Sequence, residues 1–163
     1  MAILRPKIYV ESHDRGFGMW LSLDRYDTAE AFYAKASAMT YCPEGLLSFS
    51  DFEGFPAEFF LDEKLLDERL WDWLKLDKRE RDVVWAWLDI AGGTDSIDWI
   101  LDHHIGSADS WSDYVEDYVD DIGMLSSGDK DLRPYFDYEA YGRDLRHDFT
   151  VAESSNGVEV FSG

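Results

Sequence analysis

The chain has 163 residues, with 35 Asp and Glu against 15 Lys and Arg, giving a formal net charge of -20 and a pI near 4.3. Such a field repels nucleic acid and membrane surfaces and attracts basic partners. Aromatic residues at 16% and hydrophobic residues at 45% exclude a disordered acidic tail, because that much apolar material supplies a folded core.

A single cysteine, Cys42, rules out an intrachain disulfide and fits a reducing compartment. The N-terminal residues through Pro6 carry no signal-peptide pattern. The densest apolar run, Val83-Val84-Trp85-Ala86-Trp87-Leu88, is far too short to span a bilayer. The expected location is the cytoplasm. Acidity rises along the chain: residues 1–61 hold nine acids and five bases, residues 62–106 twelve and six, and residues 107–163 fourteen and four. The expected fold class is α+β, as an elongated chain of three small domains with these boundaries: mixed α/β, then helical, then α+β and most acidic. An elongated shape spreads the charge and limits self-repulsion.

Lys7-Ile8-Tyr9-Val10 reads as a strand, and residues 17–23 as a second after the glycines at 16 and 18. Asp27 with Glu30 predicts a capping-box start for a helix whose apolar stripe is Ala29, Phe32, Ala36 and Met39. A third strand begins at Leu47, and Gly54-Phe55-Pro56 turns the chain. In the middle segment, Asp67 is placed to cap a helix carrying Leu70, Trp73 and Leu74. Val83, Val84, Trp87, Leu88 and Ala91 form a further stripe ended by Gly92-Gly93. Thr94, Asp95 or Ser96 caps the next helix, with Ile97, Ile100 and Leu101 inward and Gly106 as its stop.

The clearest helix covers residues 109–122, with Trp111, Tyr114, Val115, Tyr118, Val119 and Ile122 at helical spacing and Gly123 as its stop. A short helix is expected over residues 138–145. The chain closes as a hairpin, with Phe149-Thr150-Val151, a turn at Asn156-Gly157, and a strand over residues 158–161.

The polar face of the 109–122 helix holds Asp109, Asp113, Glu116, Asp117, Asp120 and Asp121 with no base among them. Like charges at i,i+4 cost a few tenths of a kcal/mol each, and anions in the last turn oppose the helix dipole. A merely solubilising face interleaves Lys or Arg. At a rise of about 1.5 Å per residue, six acids give one carboxylate per roughly 3 Å. Each strand of B-form DNA carries one phosphate per about 3.4 Å. Imitation of a phosphate row is therefore physically feasible, beside the plainer reading of a solvated acidic face.

Other chemistry is weaker. Thirty-five acids make accidental carboxylate pairs inevitable. Asp51 and Glu53, among Phe49, Phe52 and Phe55, are the best local candidates for acid-base work. His103 and His104 are adjacent and diverge on a helix, and no motif for a metal, phosphate or nucleophile appears. Trp71 and Trp85 lie two residues from Trp73 and Trp87, so each needs a second surface, either another helix of the domain or a protein partner.

Residues 135–145, Tyr-Phe-Asp-Tyr-Glu-Ala-Tyr-Gly-Arg-Asp-Leu, resemble the YFDYEAYARDL block of ArdA-type antirestriction proteins, with Gly142 where the family often has Ala. Lys7 to Val10 with Gly18-Met19-Trp20-Leu21 resembles the family's first strand pair. The block from Phe49 to Pro56 resembles its FQDYEGFP block, and Ile122-Gly123-Met124-Leu125 its DTGLL ending. The loop from Ser12 to Phe17 is shorter than the family's, and residues 62–106 match only in being acidic and helical.

The resemblance implies a non-enzymatic dimeric mimic of bent DNA, built from three small domains. It implies that the protein occupies the DNA-binding groove of Type I restriction-modification enzymes, on the methyltransferase core, and protects incoming mobile DNA in a bacterial host. No cofactor or metal is expected. Partner-binding carboxylates are then expected at the six helix acids, at Asp129, Asp131, Asp137, Glu139 and Asp144, and at Asp62, Glu63, Asp67, Glu68 and Asp72. The alternative is a generic acidic interaction protein or chaperone for basic proteins.

Overall fold

The computed structural model describes residues 4–13, 15–125 and 130–163, without the side chains of Lys130 and Asp131. Helices and antiparallel sheets make an α+β fold. Backbone contacts divide the chain into two compact units, Met1–Ile97 and Asp98–Gly163.

The first unit is built on β1 (Lys7–Ser12), β2 (Phe17–Ser22) and β3 (Leu47–Glu53), ordered β2-β1-β3 and antiparallel. Period-two alternation buries Ile8, Val10 and Ser12. The helix α1 (Ala29–Thr40) packs beside this sheet and buries Phe32 and Ala36. Its cap is Thr28, whose Oγ1 accepts from Ala31 N at 3.1 Å, so the expected Asp27 box lies one residue early. A short hairpin that the sequence pattern missed, β4 (Phe60–Asp62) with β5 (Leu65–Leu66), follows. Glu63 O at its tip accepts from Phe49 N of β3 at 2.6 Å.

The helices α2 (Arg69–Leu74) and α3 (Lys78–Ala91) form an aromatic core. Asp77 and Glu80 close a reciprocal capping box on α3. Trp71 is buried against Phe32, with ring centroids 5.4 Å apart, and Trp85 packs edge-on to Trp73 at 6.0 Å. Of the two surfaces open to these tryptophans, the intradomain one is occupied. Ala91, by contrast, is exposed rather than part of the buried stripe.

The second unit begins within α4 (Ile97–His103). Gly106 does not stop this helix. The chain leaves it at His103 and enters β6 (His104–Ala108), which pairs with the last strand. The sheet order is β6-β8-β7, with β7 (Phe149–Ser154) and β8 (Gly157–Ser162) forming the expected hairpin. Gly157 is required there: its φ is +124°, and a Cβ would sit 2.2 Å from Ala108 O.

Two helices complete this unit, α5 (Trp111–Asp121) and α6 (Tyr138–Leu145). Val115, Val119, Leu125 and Leu145 form its helical core, ringed by Trp111, Tyr118, Phe136, Tyr138, Tyr141 and Phe149. A 3-10 segment, Lys130–Tyr135, leads into α6.

Candidate acidic interaction surface

Ser110 starts α5. Its Oγ accepts from Asp113 N at 3.1 Å and donates to Asp113 Oδ2 at 2.6 Å. This cap fixes the rotation of the helix, so Val115 and Val119 enter the core while Asp113, Glu116, Asp117, Asp120 and Asp121 all face solvent. Asp109 is exposed too, but it precedes the cap and lies outside the helix. Five exposed acids on eleven helical residues keep the density near one carboxylate per roughly 3 Å. Burial pushes the Tyr114 hydroxyl above its ordinary value, and the neighbouring Tyr118 and the Asp121 charge add to that. Tyr141 on α6 is shifted the same way by burial, Tyr118 and Asp148.

On and beside α6, Asp137, Glu139 and Asp144 are exposed. Asp137 also caps the helix, its Oδ1 accepting from Ala140 N at 2.9 Å. Glu139 pairs with Arg143 at 3.6 Å in a solvent-facing i,i+4 contact. Asp120 is met by the Arg133 guanidinium from the 3-10 segment. Asp129 and the Asp131 side chain lie outside the described residues.

In the first unit Asp62, Glu63, Glu68 and Asp72 are exposed. Asp62 Oδ1 accepts from Lys64 N at 2.7 Å in the hairpin turn, and Asp72 approaches Lys75 at 3.8 Å. Asp67 differs from the rest. It is half-buried and forked onto Arg69, with Nη2 to Oδ2 at 2.8 Å and Nε to both oxygens at 3.1 and 3.2 Å. Burial alone would raise the Asp67 carboxyl. The side-chain and backbone hydrogen bonds and the charge of Arg69 together hold it below the usual carboxylate range. Its charge is thus neutralised within the fold.

The sites considered for catalysis separate. Asp51 is exposed and accepts from its neighbour Phe52 N at 2.8 Å, while Glu53 pairs with Lys7 at 3.0 Å. Neither sits in the apolar pocket that a general acid needs. His103 ends α4 and stacks on Trp99 at 3.8 Å, whereas His104 turns to Glu159. Ser154, Glu159 and His104 do form a chain, but the carboxylate stands between hydroxyl and imidazole, so the histidine does not reach the hydroxyl as its base. Among the described residues no three His, Cys, Asp or Glu gather as a metal-binding group, and no helix is long and apolar enough to cross a membrane.

The fold and this surface define a small α+β protein whose broadest chemical feature is exposed carboxylate. A family model described as antirestriction protein (ArdA) matches residues 12–160, and the chain belongs to that family. A search of curated proteins finds no match. Membership implies an antirestriction function and points to restriction enzymes as the class of partner.

Proposed function

We propose that the protein acts as a DNA mimic that competes for the DNA-binding groove of a Type I restriction-modification enzyme, and so protects incoming mobile DNA in a bacterial cytoplasm. The observation that carries this reading is the exposed, closely spaced row of acids on α5, Asp113, Glu116, Asp117, Asp120 and Asp121, set on a helix whose other face is fixed in the core. Each carboxylate stands in for phosphate oxygens and meets Lys or Arg of the groove. Asp109, Asp137, Glu139 and Asp144, all exposed, add to the acids of that unit, and Asp62, Glu63, Glu68 and Asp72 are exposed on the first unit. Two copies would carry a charge of about -40, which at one charge per about 1.7 Å matches roughly 68 Å of duplex. A homodimer therefore suits a large groove better than one chain does.

The test is competition. Purified protein should displace a labelled duplex from the methyltransferase core at low salt, and should prefer that core over a panel of unrelated basic proteins. Equal binding to the whole panel would favour the alternative of a generic acidic binder.

A further inference from the structure

The second unit has three described arginine side chains, Arg133, Arg143 and Arg146, and they are placed differently. Arg143 lies within its own helix on Glu139, with both side chains largely in solvent. Arg146 sits over the Trp111 ring, 5.7 Å from its centroid. Arg133 alone of these three reaches the acid row of α5, its Nη2 on Asp120 Oδ1, with each side chain 49% exposed. The fold delivers it there. Arg133 O accepts from Phe136 N at 3.2 Å, and Phe136 is anchored edge-on to Tyr138 with centroids 4.7 Å apart, against the helical core. The guanidinium is thus held three residues from a fixed aromatic anchor.

We infer that Arg133 is a built-in counter-ion that occupies, on Asp120, the seat a partner's guanidinium or ammonium takes in the complex. The inference rests on the mimic reading above. In the free protein the last turn of α5 holds Asp120 and Asp121 where the helix dipole disfavours anions, and Arg133 relieves that repulsion. A half-exposed pair of this kind is weak, so a well-placed cation displaces it. A stray cation gains little, because it only exchanges one arginine for another. A partner with an array matched to the whole row gains at every other acid and tolerates the one exchange. The contact therefore selects against scattered basic proteins.

The experiment measures binding of Arg133→Gln, Asp120→Asn and the double variant to the methyltransferase core at low salt, with thermal melts as a check on folding. Arg133→Gln should tighten binding by about two- to five-fold, the size of one exposed ion pair. That gain should vanish in the Asp120→Asn background. Arg133→Lys, which keeps the charge but not the guanidinium, should fall between. Arg143→Gln removes the same charge elsewhere and should show no dependence on Asp120. Weaker or unchanged binding by a folded Arg133→Gln protein overturns the inference, as does an equal gain from Arg143→Gln. A polyarginine probe run in parallel separates the two readings. If the core is not bound but polyarginine still shows the Asp120-dependent gain, the mimic reading fails and the counter-ion stands.

Discussion

His104 Nε2 lies 2.9 Å from Glu159 Oε2, and Glu159 is the one acid among the described residues that is fully buried. Ser154 Oγ donates to its other oxygen at 2.8 Å. Every other described acidic residue is half-buried or exposed, so the acidity of this chain lies mainly at its surface. The pair also ties β6 to β8 through two residues 55 apart in sequence. Removing the imidazole leaves one oxygen of the buried Glu159 carboxyl without its hydrogen-bond partner. His104→Ala should therefore lower unfolding stability by about 1–3 kcal/mol, whereas replacing both residues together by apolar ones of similar size should be nearly neutral. Urea unfolding followed by circular dichroism measures both.

Arg69 ties the start of α2 to the loop after α3: besides Asp67, it donates to Asp95 O at 2.7 Å and Gly93 O at 3.2 Å. Arg69→Ala should cost about 2–3 kcal/mol at neutral pH. Part of that cost depends on pH. Asp67 is depressed in the folded protein, so its contribution is present above the unfolded value of about 3.9 and is lost as pH falls through the folded one. The gap between parent and variant should narrow below about pH 4, as thermal melts across an acid series would show.

Asp89 is perturbed in the opposite sense. Burial raises its carboxyl, and the nearby Glu58 charge adds to the shift against a hydrogen bond from Trp85. A raised carboxyl contributes stability only at low pH and loses it as pH rises through the folded value, so at neutral pH this pair opposes folding. Glu58→Gln should stabilise the protein by about 0.5 kcal/mol at pH 7, a small figure because Asp89 is only partly desolvated and solvent screens the pair, and by nothing below about pH 4. A variant no more stable than the parent at pH 7 would show that the repulsion is already screened.

Neutralising the α5 row should give a graded response. Single changes such as Glu116→Gln or Asp117→Asn should each weaken partner binding by about two- to five-fold, with larger sets losing progressively more. A hydrolase would instead lose all activity at one or two positions. Loss of binding confined to one acid, with the others silent, would contradict a collective surface.

Local pattern made much of this fold legible. Tyr138, Tyr141 and Leu145 repeat at helical spacing behind Asp137, and α6 covers the expected residues. The α5 stripe and the closing hairpin were equally readable, because their periods and turn glycines are strong. What escaped depends on distant partners. The strand β6 is a short, mixed run containing Gly106 that takes its form from β8, and β4 and β5 have three and two residues. Of the surface, the exposure of the acids followed from the amphipathic pattern. The neutralisation of Asp67 did not, because Arg69, two residues on, is held there by the carbonyls of Asp95 and Gly93, and the reach of Arg133 to Asp120 is likewise set by tertiary placement.

The most direct measurement is a salt titration of competition between this protein and a DNA duplex for a Type I methyltransferase core. The account predicts displacement of DNA at low salt, with an apparent affinity that falls as salt rises because paired ions are released. A folded protein that leaves the duplex bound even at low salt would contradict it.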